Sequence, residues 1–257
     1  MAYETLTLEK QGNVAWVWLD RPERRNALNG LALEEIRAVF EELQTSFEAS
    51  VVVLGGRGAS FCAGADRKDP PGRSAAPTGL ARERRHMAQT GKRTIEAIER
   101  CEAITIARVH GHAIGGGLLL AAACDFRIAA RSTIFHVPEV DLGVPLTWGG
   151  APRLAHLLGP ARARELILLC ERFDAETADR YGFLNRLVED EDLDAVVDDW
   201  AARLAAKPEW ALHMSKTQFR GYDRLAVLGD LTEGDGDLLN AASSQDPTRF
   251  LFPKKGG

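Results

Sequence analysis

The sequence predicts an α/β fold with a helical C-terminal quarter. Short β-branched runs such as Val51–Leu54 lead into stretches with helical spacing. This pairing recurs through the first three quarters of the chain, and from Gly150 onward helical patterns take over. With 257 residues, 45% of them hydrophobic and 27% charged, the chain can bury a large core, which excludes extensive disorder. The formal net charge of −5 disfavours nucleic acid as the main partner.

Tyr3 to Leu8 alternates polar and apolar residues, Lys10 to Asn13 is turn-like, and Val14 to Leu19 completes a predicted hairpin. After Asp20-Arg-Pro22, residues Leu33, Ile36, Phe40, Leu43 and Phe47 recur on one helical face. Val51 to Leu54 reads as a buried strand. Residues 67–80 hold three prolines and two glycines, which predicts a mobile loop beside a cleft. A single basic helix is expected from Arg82 to Cys101, its charges forming a solvated face or a phosphate patch. Strand Ile104–Val109, a glycine-rich turn, an apolar helix Leu118–Cys124, and strands Phe126–Ala129 and Ile134–Val137 follow. Asp174 and Gly182 are expected to cap one later helix. No internal repeat is clean enough to name a solenoid.

Cys62, Cys101, Cys124 and Cys170 stand far apart with no C-x-x-C pair, as expected of reduced thiols in a cytoplasmic protein. The N-terminus has no apolar signal core. The nearly apolar run Ala113–Cys124 is too short to cross a bilayer.

Three segments could carry chemistry. In Val109–Asp125 a strand runs into Gly115-Gly116-Gly117, which opens a helix. Free N–H groups at a helix start, with no Cβ in the way, suit an anion or oxyanion; close helix–strand packing is the other reading. Ala59–Asp66 is a second small-residue turn after a buried strand, and two such turns could supply two converging donors. In Ile134–Gly150, Glu139 follows Pro138 between Val137 and Val140, apolar surroundings that would raise a carboxyl toward the range of a general acid or base. Asp141 would share its face if the chain stays extended. Trp148 is a candidate wall of a pocket or a core residue. His110, His112 and His136 match no metal-ligand signature, and no metal is expected.

Together these residues resemble the crotonase family, the enoyl-CoA hydratase/isomerases. The resemblance runs through Asp20-Arg-Pro-Glu-Arg-Arg-Asn-Ala-Leu28, Ser60-Phe-Cys-Ala-Gly-Ala-Asp66, Gly111-His-Ala-Ile-Gly-Gly-Gly117 with Cys124-Asp125, and Pro138-Glu139. It implies a crotonase-like (ClpP/crotonase) spiral of stacked β-β-α units over residues 1–195. A helical region over 196–257 would serve assembly into a homotrimer or a dimer of trimers. It implies an acyl-CoA thioester as substrate and no separate cofactor, since coenzyme A enters as part of that substrate. The backbone N–H groups of Ala65 and Gly116 would hold the thioester oxygen. Arg24 or Arg25, in the turn that also holds Ala27, would lie near the CoA phosphates. Ala63 to Arg67, Asp66 included, would lie near adenine and pantetheine, and Phe250 would close the CoA site.

One departure decides the expected chemistry. Hydratases of the family carry two glutamates, and here the first position is Leu119 while the second is Glu139. Loss of one acid/base group costs about 10²- to 10⁴-fold in rate. Leu119 would also keep water out. The expectation is therefore double-bond migration in an enoyl-CoA, similar to the Δ3,Δ2-enoyl-CoA isomerase branch, with Glu139 as proton shuttle. The alternatives are a weak or specialised hydratase helped by Asp141 or a histidine, and a non-catalytic acyl-CoA binding protein. Thioesterase or dehalogenase chemistry stays open, since fold does not fix reaction.

Overall fold

The structure, a computed structural model, describes residues 3–71 and 80–226. The hairpin is β1 (Leu6–Gln11) and β2 (Val14–Leu19), joined antiparallel by a two-residue turn. Helix α1 (Gly30–Ser46) buries Leu33, Ile36, Phe40 and Leu43 as the spacing predicts. Phe47 departs from that stripe: it sits past the helix end at φ 55° and is exposed. Strand β3 (Val51–Gly56) is buried throughout.

The expected single basic helix is two, α2 (Ala81–Ala88) and α3 (Thr90–Arg100), parted at Gln89. Its face is not fully solvated either, because Lys92 is buried and pairs with Glu96 at 3.5 Å. Next come β4 (Ile104–Val109), β5 (His112–Ile114), α4 (Gly116–Ala123), β6 (Phe126–Ala130) and β7 (Ile134–His136). The C-terminal part holds α5 (Gly150–Leu158), α6 (Pro160–Leu169), β8 (Phe173–Asp174), α7 (Ala175–Arg180), β9 (Arg186–Val188), α8 (Leu193–Ala205) and α9 (Glu209–Ala226). Asp174 caps α7 by accepting the Thr177 N–H at 2.8 Å. Gly182 lies one residue beyond the C-cap Tyr181, where Gly182 N–H bonds Asp179 and Phe183 N–H bonds Ala178, closing the helix.

The main sheet has the order β1-β2-β3-β4-β6-β9, parallel from β2 onward. A smaller sheet has the order β5-β7-β8, and Cys62 bridges to Ala113 alongside it. The chain therefore repeats one excursion. A main-sheet strand leads to a short second-sheet segment and then a helix: β3, Cys62 and α2–α3; β4, β5 and α4; β6, β7 and α5. This is the crotonase-like spiral of stacked β-β-α units. Of these second-sheet segments β7 was expected as a strand, but Cys62 and β5, one and three residues long, are too short for an alternation to show, so the repeat escapes the sequence.

Both faces of β3 are covered, which is why it reads as an unbroken apolar run. Val52 and Leu54 join the main core with α1, α3 and α4, while Val51 and Val53 pack with Leu193 and Val197 of α8. Helix α4 is buried on every side, consistent with its wholly apolar sequence. The boundary expected near residue 195 falls inside α8. No helix among the described residues is long and apolar enough to cross a membrane. All four cysteines are free and buried.

Candidate active site

Two loops and one turn meet at the start of α4. The first loop, after β3, is laced to the second sheet by Cys62 N–H to His112 (2.9 Å) and Ile114 N–H to Cys62 (3.0 Å). It is laced to the early turn by Ala63 N–H to Arg25 (2.9 Å), Leu28 N–H to Gly64 (2.8 Å) and Asp66 N–H to Leu28 (2.8 Å). In this parallel bridge Leu28 bonds the residues on either side of Ala65, so the N–H of Ala65 points to the other side of the strand.

Gly64 makes the crossing possible. It adopts φ +82°, and a Cβ there would stand 2.7 Å from the Ile114 carbonyl oxygen and 3.8 Å from the Gly116 nitrogen. Gly116 is the first residue of α4, so its N–H has no acceptor within the helix. Neither the Ala65 nor the Gly116 N–H finds a hydrogen-bond partner among the described residues.

The turn after β7 brings Glu139 over the same place. A Cβ on Gly115, which holds φ +50°, would stand 2.5 Å from Glu139 Oε1. Glu139 Oε2 is sealed from solvent and has no hydrogen-bond partner among the described residues. Burial pushes the Glu139 carboxyl up to about 7, outweighing the opposing effect of its own N–H.

A cavity of about 80 Å³ unites Ala65, Gly116, Leu119, Glu139 and Trp148, all named from the sequence. Spacing along the chain did not reveal the rest of its wall, including Met87, Gly91, Val144 and Leu146. Gly91, a small residue inside a helix, was the one available signal. A roomier cavity of about 690 Å³ lies under α9 and contains none of the expected site residues.

Arg24 and Arg25 are exposed, Arg25 at φ 51°, on the turn bonded to the Ala63–Asp66 loop. Ala27 is buried there, and its carbonyl accepts from Arg21. Ala63 is half-buried and Arg67 exposed. The Asp66 carboxylate is occupied internally, paired with Arg21 at 2.9 Å and accepting from Lys68 and Asp69. Burial pushes its pKa up, but the Lys68 N–H, Arg21 and the Asp69 N–H outweigh that and hold it below the usual carboxylate range. Phe250 and residues 72–79 of the expected loop lie outside the described residues.

The structure corrects the expectation for Asp141. Residues 139–143 form a turn, with Leu142 and Val144 N–H bonded to the Glu139 carbonyl at 3.0 Å. Asp141 is therefore exposed instead of sharing the face of Glu139. The histidines stand apart from the cavity wall: His110 on Gly58, His112 on Ser60, and His136 on Cys170. No metal-ligating cluster occurs among the described residues.

A family model described as enoyl-CoA hydratase/isomerase matches residues 9–250. A crotonyl-CoA hydratase of Syntrophomonas wolfei is 37% identical over 217 residues, covering 84% of this chain and 81% of its own. The human mitochondrial Delta(3,5)-Delta(2,4)-dienoyl-CoA isomerase is 32% identical over 224 residues, covering 84% and 68%. The crystal structure of an enoyl-CoA hydratase from Bacillus anthracis superposes with a TM-score of 0.78 at 28% identity, covering 94% of this chain and 90% of that one.

Proposed function

Because the chain belongs to the enoyl-CoA hydratase/isomerase family, we propose that it moves the double bond of a 3-enoyl-CoA to carbon 2. Ala65 and Gly116 N–H receive the thioester oxygen. The Glu139 carboxylate removes a proton from carbon 2, and the electron pair passes through the carbonyl to leave a dienolate. Two converging backbone donors stabilise that charge, each by about 10²-fold or more. Protonated Glu139 returns a proton to carbon 4, the double bond settles between carbons 2 and 3, and the carboxylate is restored.

The observation that carries this reading is a lone carboxyl whose buried Oε2 has no partner among the described residues. Glu139 shares the cavity with two unused backbone N–H groups, while Leu119, 1% exposed, fills the position where the resemblance implies a second glutamate. An apolar wall opposite a single carboxylate suits proton shuttling better than activation of water. Hydration is the second reading, favoured by relatives named as crotonyl-CoA and short-chain-enoyl-CoA hydratases.

Isomerisation of a 3-enoyl-CoA and hydration of a 2-enoyl-CoA, measured on one preparation, separate the two. Isomerisation should dominate, and Glu139→Gln should lose about 10²-fold or more in kcat while still binding acyl-CoA. Hydration faster by about tenfold, 1.4 kcal/mol in barrier, would overturn the isomerase reading. Binding with no turnover of either substrate would favour an acyl-CoA binding protein.

A further inference from the structure

We propose that Trp148 caps the acyl end of this cavity and confines the protein to short acyl chains, butyryl to hexanoyl in length. The inference rests on reading the cavity as the acyl site. The indole lies between two helices, on glycine in each. A Cβ at Gly91 of α3 would stand 2.0 Å from its Cε2, and one at Gly116 of α4 would stand 2.3 Å from its Cζ3. Neither helix could carry any side chain where the ring sits.

The main chain of Trp148 is also fixed. Trp148 adopts φ 57°, a left-handed conformation unusual for a bulky residue and one that persists only where surroundings enforce it. Its carbonyl accepts from Arg153 Nη1 at 2.9 Å, and buried Arg153 is held on its other side by both carboxylate oxygens of Glu99. This clamp fixes the Trp148 main chain from which the indole projects, and the packing between Gly91 and Gly116 holds the ring itself.

With the thioester oxygen at Ala65 and Gly116 and the reacting carbons under Glu139, the described residues leave carbons farther along the chain the space before the indole. The whole cavity, bounded also by Leu119, Leu146 and Met87, is about 80 Å³, far below the roughly 300–1,000 Å³ of pockets that take drug-sized ligands. It suits a group of a few carbon atoms.

The test is calorimetric titration of the wild type with butyryl-, hexanoyl-, octanoyl- and decanoyl-CoA. While a chain still fits, each pair of added methylenes should tighten binding by more than tenfold, about fourfold apiece. Past the cap the gain should stop, so that decanoyl-CoA binds no tighter than hexanoyl-CoA. In Trp148→Ala, decanoyl-CoA should bind at least tenfold tighter than hexanoyl-CoA, with Trp148→Phe between the two proteins. Affinity that climbs steadily through decanoyl-CoA in the wild type overturns the proposal, whether or not the variants fold. A folded Trp148→Ala that keeps the same break also overturns it. Isomerisation assays on the same wild-type preparation keep the two readings distinct: a break in affinity without turnover upholds the cap and sinks the isomerase, and turnover without a break does the reverse.

Discussion

The Glu139 carboxyl, lifted to about 7 by burial, must be ionised to accept a proton, so catalysis should follow its titration. The kcat/KM for double-bond migration should rise with pH through about 7 and level off above about 8; a profile flat from pH 5 to 9 would contradict the assignment. The same shift predicts a stability effect of opposite direction. Between about 4.5 and 7 the unfolded chain loses this proton while the folded chain keeps it, so rising pH costs the native state about 3 kcal/mol across that window. Glu139→Gln abolishes the titration. In urea unfolding, its stability relative to wild type should therefore improve by about 3 kcal/mol between pH 4 and pH 8. Glu139 was legible as a candidate from its own chemistry and apolar neighbours, and Leu119 only through the family resemblance. The isolation of Asp141 was not, because it depends on a turn whose hydrogen bonds the letters do not spell out.

At the scale of elements, short structures hold the site and are the hardest to read. Helix α1 is capped by Asn29, whose Oδ1 accepts the Ala32 N–H at 2.9 Å while Nδ2 donates to Asp69 at 2.8 Å. One side chain thus ties the helix start to the loop that follows Ala65. Asn29→Ala should cost about 1–2 kcal/mol in urea unfolding, the upper part of the usual range for a cap because Asn29 is also buried. A loss under about 0.3 kcal/mol would show that the cap contributes nothing there. Helix α1 was readable from its periodicity, and β3 and α4 from their unbroken apolar runs. The two- and three-residue strands β5, β8 and β9 were not, since so few residues cannot display an alternation and their pairing partners are distant in sequence. The break at Gln89 falls just before Thr90-Gly91, two weak helix formers whose signal the helical spacing on either side masked.

Across the whole molecule, α9 is fastened to the sheet by a buried cation. Lys216 Nζ lies 2.7 Å from Asp125 Oδ2 and donates to the Ala103 carbonyl at 2.7 Å, while Asp125 also accepts from Thr105. Asp125 follows the C-cap of α4, so the clasp joins α9 to the far end of the helix whose start lines the site. Lys216→Met should destabilise the protein by about 3 kcal/mol, because it leaves a partly buried carboxylate without its cation. An unchanged urea midpoint would show that the clasp adds little. Helix α9 also leaves Trp210, Phe219 and Tyr222 exposed. Together with the resemblance, this predicts three or six copies in sedimentation, and a monomer would count against assembly through the C-terminal region.

The sequence by itself determined the α/β class and the family resemblance, made Glu139 a candidate, and through that resemblance named Leu119, Ala65 and Gly116 as candidates. Composition, long periodicities and side-chain chemistry are properties of the chain before it folds. Tertiary structure decided that the loop after β3, the start of α4 and the turn after β7 enclose one cavity, and that Trp148 rests on Gly91 and Gly116. Those contacts join residues far apart in the chain through bridges as short as one residue, and close approach of backbones is set by the packing of all the elements together.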